Sequence, residues 1–104
     1  MILLKDLFKN DDCIGFYVDK EDSLEFINYL YFNNFFVNEK LTYKQIVSNY
    51  KNLYKKAIIL HSDGTIWRVS NFIVAIYLSM IKRYKYSDIK KGIINNLGEQ
   101  NEKH

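Results

Sequence analysis

The residues in this chain that could do covalent chemistry are few. Cys13 and His61 are its one pairing of a nucleophile with an internal base, since the second of the two histidines is the terminal residue, His104. A thiol becomes a good nucleophile when a base or positive field stands beside it. No feature of the sequence sets His61 beside Cys13, so Cys13 reads as a small strand residue. A metal site needs several His, Cys or clustered carboxylates, and the chain has too few of the first two. Asp11, Asp12, Asp19, Glu21 and Asp22 lack the loop spacing and glycine of a calcium site, and suit turns and helix caps instead. The expectation is a protein that is not an enzyme and uses no cofactor.

The one concentration of chemistry is basic. Lys44, Lys51, Lys55, Lys56, Arg68, Lys82, Arg83, Lys85, Lys90 and Lys91 all fall after residue 39. Residues 1–39 hold three Lys against eight Asp or Glu, a net −5, whereas residues 40–91 hold eleven Lys or Arg against two acids, a net +9. If several of these cations converge they contact phosphates, giving a salt-dependent affinity without sequence preference. Tyr84 and Tyr86 interleave with Lys82, Arg83 and Lys85 and are expected to be exposed. The candidate partner or nucleic-acid-binding set is therefore Lys44, Lys51, Lys55, Arg68, Lys82, Arg83, Tyr84, Lys85 and Tyr86.

The elements that must position these residues follow from periodicity and turn chemistry. Ala57 to Ser70, AIILHSDGTIWRVS, reads as a β-hairpin with Asp63-Gly64 as a two-residue turn. That turn pairs Leu60 with Trp67, Ile59 with Arg68 and Ile58 with Val69. Ile58, Leu60, Trp67 and Val69 then share the core face, and Ile59, His61, Ile66 and Arg68 the other. Cys13 to Val18 alternates as a strand, with Ile14, Phe16 and Val18 facing one way. Leu4, Leu7 and Phe8 mark a short first helix. Asp19 caps a second helix running to about Asn33, with a wide apolar stripe of Leu24, Phe26, Ile27, Leu30 and Tyr31 and with Asn33-Asn34 as its stop. Thr42 and Gln45 form a capping box for a third helix over 42–56, whose apolar face runs through Tyr43, Ile46, Val47, Tyr50 and Leu53. Phe72 to Lys85 reads as a further helix, closed by Lys82, Arg83 and Lys85, and Ser87 caps a last one reaching Leu97. The fold class is α+β: a small, mainly antiparallel sheet of one strand plus a hairpin, packed with four to five helices.

At 104 residues, without proline and with four glycines, the chain reads as a single domain over 1–97 followed by a frayed tail over 98–104. Its longest apolar run, Phe72 to Ile81, is far below the roughly 20 residues that cross a bilayer, so no membrane partner is expected. One cysteine and no leader pattern imply the cytoplasm. Phe72, Ile76, Leu78 and Ile81 face either the core or a homodimer partner.

The segments GFYVDKEDSLEFINYLYFNNFFV, TYKQIVSNYKNLY and IILHSDGTIWRVS resemble the small α+β accessory proteins of phages and mobile elements of low-GC bacteria, over roughly Cys13 to Ser70. Many of those are inhibitors of host defence, anti-CRISPR proteins among them, and share no catalytic motif from which a residue could be carried over. The resemblance implies a non-catalytic inhibitor that occupies a surface of a protein partner, such as a nucleic-acid-containing effector complex, in the host cytoplasm. An antitoxin or immunity protein that neutralises one enzyme fits the same features. The alternative reading is a winged-helix-type DNA-binding protein, with helix 42–56 as the reader and the 57–70 hairpin as the wing.

Overall fold

The computed structural model describes residues 1–69 and 81–97. The expected helix over 72–85 and the tail over 98–104 thus lie largely or wholly outside the described residues, together with Phe72, Ile76 and Leu78. The elements are α1 (Leu4–Phe8), β1 (Cys13–Tyr17), α2 (Ser23–Phe32), α3 (Tyr43–Tyr50), β2 (Ala57–His61), β3 (Ile66–Val69), β4 (Arg83–Lys85) and α4 (Tyr86–Ile89), with 3-10 turns at Lys20–Asp22 and Leu53–Lys55. The fold is α+β.

Local chemistry accounts for the helix ends. Thr42 and Gln45 form the expected capping box: Gln45 N donates to Thr42 Oγ1 at 3.2 Å, and Thr42 N donates to Gln45 Oε1 at 2.9 Å. After α2 the chain turns at Asn34, φ +63, a left-handed position that Asn tolerates. Asn33 then ties two helices together. Its Nδ2 donates to Tyr29 O at 2.7 Å and its Oδ1 accepts from Leu4 N at 3.0 Å, an otherwise unpaired donor at the start of α1. Helix α3 is shorter than the expected 42–56, ending at Tyr50 before the 3-10 turn that leads into β2.

The strands form one sheet in the order β3-β2-β1-β4. β2 runs antiparallel to both β1 and β3, and β4 runs parallel to β1, so the sheet is mixed rather than mainly a strand and a hairpin. The added strand comes from residues expected to end a helix. Arg83-Tyr84-Lys85 alternates polar, aromatic, polar, and in the parallel register Tyr84 stands opposite Phe16. Tyr84 is thereby drawn into the core at 3% exposure, and Tyr86, the first residue of α4, at 4%. The expectation that these two rings are exposed is overturned, because the period of two that governs a strand carries Tyr84 inward while Arg83 and Lys85 turn away. α4 itself covers only Tyr86–Ile89, starting before Ser87 and ending well short of Leu97.

The hairpin is also corrected by one residue. Gly64 N donates to His61 O and His61 N donates to Thr65 O, both at 2.9 Å, which closes a three-residue loop, Ser62 to Gly64, with Gly64 at φ +94. This is the turn-plus-bulge hairpin, not the two-residue one. Leu60 consequently pairs with Ile66, Ile59 with Trp67, Ile58 with Arg68 and Ala57 with Val69. A one-residue shift exchanges the faces. Ile66 packs against the main core, and Trp67, expected there, is 46% exposed on the opposite face.

The main core lies between one sheet face (Ile14, Phe16, Ile58, Leu60, Tyr84) and Leu4, Leu7 and Phe8 of α1 with Phe26, Ile27 and Leu30 of α2. Aromatic rings join its parts: Phe16 and Phe26 have centroids 5.2 Å apart, Phe16 and Tyr84 5.9 Å, Phe26 and Tyr86 5.2 Å. On the other sheet face Ala57 and Ile59 are buried with Cys13, Tyr17 and Ile81 packed on them. Ile81 is thus half-buried against the sheet.

Candidate partner-binding surface

The cations singled out in the sequence do not gather into one set. Arg68 lies on edge strand β3, while Arg83 and Lys85 lie on β4 at the opposite edge, with β2 and β1 between them. At roughly 4.8 Å per strand that separation is about 14 Å. Several charges are answered internally. Lys82 Nζ pairs with Asp11 at 2.7 Å, Lys90 Nζ with Asp22 at 2.6 Å and Glu25 at 3.7 Å, and Arg83 Nη1 donates to Tyr17 Oη at 3.5 Å. The Asp22 hydrogen bond raises the Lys90 pKa above the ordinary lysine value, against a smaller opposing effect of desolvation. Lys44, Lys51, Lys55, Lys56, Lys85 and Lys91 are exposed and make no ion pair with another described residue. The first four follow one another along α3 and the turn after it.

Beside those lysines lies a surface that the sequence reading missed. The stripe of α2 is wider than the core needs, so Leu24, Tyr31 and Phe32 stay exposed. Val37 is 71% exposed, and Leu41 and Tyr43 are also open to solvent. Four of them, Tyr31, Val37, Leu41 and Tyr43, adjoin one another. The Tyr31 ring meets Tyr43 edge-on at 5.6 Å, and the Tyr43 hydroxyl donates to Asn28 Oδ1. Tyr31, Phe36, Val37, Glu39, Leu41 and Ile46 line a groove of about 270 Å³ between the end of α2, the 33–41 segment and the start of α3. Glu39 Oε1 accepts from the Tyr50 hydroxyl at 2.9 Å, whereas Glu39 Oε2 is buried without a hydrogen-bond partner. Apolar groups in such number on one flank, rimmed by polar residues, are the composition of an interaction face. The signal was present in the sequence as an apolar stripe too broad for one buried side, and as Val37 and Leu41 standing in a polar connection.

A second cavity of about 600 Å³ opens between α2, α4 and the residues before α1, lined by Ile2, Glu25, Tyr29, Tyr86, Lys90 and Lys91 among others. Burial pushes the Tyr86 hydroxyl up to about 12, with Glu25 and Asp22 adding to the effect, and raises Tyr29 as well. The Tyr29 hydroxyl donates to Ile2 O at 2.7 Å. Both phenols are structural groups held neutral. Among the described residues no three His, Cys, Asp or Glu converge to hold a metal ion, and no helix is long and apolar enough to cross a membrane.

The structure does bring together the two residues that sequence left apart. Cys13 stands directly opposite His61 across β1 and β2. The His61 ring lies against Trp67, centroids 4.3 Å apart.

No protein-family model, curated protein or solved structure matches the chain.

Proposed function

We propose that this is a non-catalytic binding protein that works by occupying a surface of a larger partner, with the Tyr31, Val37, Leu41 and Tyr43 face as its contact. The observation that carries the reading is that exposed aromatic and aliphatic face. Tyr anchors supply large contact area at small entropic cost, and apolar side chains left open on a chain of this size find their use in an interface. The adjoining Lys44 and Lys51 suit a partner with acidic or nucleic-acid-bearing surroundings. On the resemblance to phage and mobile-element accessory proteins, the partner is a bacterial defence complex and the outcome is inhibition.

The test is a pull-down from a low-GC bacterial lysate with and without nuclease, using the tagged wild type and a Val37→Asp/Leu41→Asp variant of unchanged circular dichroism. A defence effector complex held through nuclease treatment by the wild type, and lost by the variant, is the expected result. Equal capture by both chains removes this face from consideration.

The open lysines of α3 and the turn after it, Lys44, Lys51, Lys55 and Lys56, favour one second reading, DNA binding through that helix. Two features weigh against it. Lys51 and Lys55 lie beyond the end of α3, and the hairpin loop, though exposed at Ser62, Asp63 and Thr65, has its Gly64 side turned to the Phe35 carbonyl rather than free on both sides as a wing would be. Nucleic acid retained alone, and lost in Lys51→Glu/Lys55→Glu, is the outcome that reading requires.

A further inference from the structure

The groove beside α3 holds a carboxylate that an apolar contact face does not require. Among the described residues lining it, Glu39 alone is charged, and it stands with Tyr31, Phe36, Val37, Leu41 and Ile46. The Tyr50 hydroxyl donates to Glu39 Oε1 at 2.9 Å, which fixes the side chain and leaves Oε2 buried with no hydrogen-bond partner among the described residues. A carboxylate held among apolar walls with one oxygen unmatched favours a donor that carries positive charge. The walls suit the same group. Tyr31 is half exposed, its ring centroid 6.5 Å from that of buried Phe36 and 5.6 Å from that of Tyr43. An aromatic face attracts a cation laid over it, and a guanidinium, being planar, both stacks there and donates to a carboxylate. The volume, about 270 Å³, suits a single side chain and falls below the usual range of pockets that enclose a small-molecule ligand. Lys40 and Lys44, the nearest cations along the chain, are exposed and do not line the groove.

Resting on the reading of the Tyr31, Val37, Leu41 and Tyr43 face as the partner contact, we propose that its groove receives an arginine side chain of the protein partner. The guanidinium lies against the Tyr31 ring and donates to the Glu39 carboxylate. Oε2, covered in this structure, meets it through a turn about the terminal Glu39 torsion, which is soft. Val37, Leu41 and Ile46 take the apolar stem of the arginine. The aliphatic and aromatic residues thus supply contact area, and Glu39 decides which side chain enters.

The probes are N-acetyl-arginine amide and its neutral isostere N-acetyl-citrulline amide, each titrated into the full chain with binding read from backbone amide chemical shifts. The arginine amide is expected to shift Tyr31, Glu39 and Leu41 saturably and to bind about tenfold tighter than the citrulline amide, the worth of one charge-assisted hydrogen bond. Glu39→Gln, which keeps a carbonyl oxygen for Tyr50, is expected to lose that preference. Equal or tighter binding of the citrulline amide, or of N-acetyl-lysine amide, by the wild type overturns the proposal without reference to any variant. So does an arginine titration that leaves the groove unshifted, or a folded Glu39→Gln chain that still prefers arginine. No lysate partner enters this titration, so its failure leaves capture through the apolar face standing, and failed capture leaves the arginine preference standing.

Discussion

Gly64 fixes the geometry of the hairpin. At φ +94 it occupies a region that costs residues with a Cβ about 1–2 kcal/mol, while a methyl group there would stand 3.5 Å from Phe35 O, an ordinary contact. Gly64→Ala should therefore destabilise the chain by about 1–2 kcal/mol in urea unfolding, and Gly64→Asn by less, through backbone strain alone. Asp63 supports the same loop. Its carboxylate accepts from Thr65, first through the side chain and then through Thr65 N at 2.9 Å, which holds its pKa below the ordinary value. The pair Asp63-Gly64 was legible as a turn, but loop length was not. A dipeptide that suits a two-residue loop also suits the last two positions of a three-residue one, and the choice between them decided the side of the sheet on which Trp67 stands.

At the scale of elements, β3 and β4 exchange the roles that the sequence assigned to their aromatic residues. Tyr84 of β4 packs on Phe16 within the core, whereas Trp67 of β3 is nearly half exposed. Tyr84→Ala should cost about 3–5 kcal/mol and Trp67→Ala about 1 kcal/mol or less, measured by the same unfolding experiment. A larger loss at Trp67 would refute the hairpin register. The strand β1, the Asn33-Asn34 stop of α2, the Thr42–Gln45 capping box and the buried face of α1 were readable because each depends on a local period or a local hydrogen bond. Asp19, expected to cap α2, instead precedes a 3-10 turn and makes no side-chain cap bond, and α2 itself begins at Ser23. β4 was obscured because Lys82 to Tyr86 carries cations suited to a helix end, while its alternation spans only three residues of strand. The apolar face was obscured for a related reason: periodicity shows how many apolar positions a helix has, not how many its neighbours can cover.

At the scale of the whole molecule, the ionisable groups displaced upward among the described residues hold the fold together from the alkaline side. Tyr29 and Tyr86 are raised by burial and Lys90 by its bond to Asp22. Each group keeps its proton more tightly when folded, so its contribution is complete below the ordinary pKa near 10 and is lost as pH climbs through the raised value. Stability should fall steeply above about pH 10, with tyrosinate absorbance from Tyr29 and Tyr86 delayed until unfolding. Early, freely titrating tyrosinate at those positions, in Tyr→Phe difference spectra, would contradict their burial. What sequence could not convey at this scale is the pairing of β1 with β4, since no local pattern encodes a partner so far along the chain. That pairing sets an order of events during synthesis. β2, with β3 beyond it, can close one flank of β1, but Gly15 to Tyr17 lacks its strand partner on the other until Arg83 to Lys85 has emerged from the ribosome. A nascent chain halted before that point presents β1, with Ile14 and Phe16, as a bare sheet edge, so its translation is the stage at which a chaperone has most to protect.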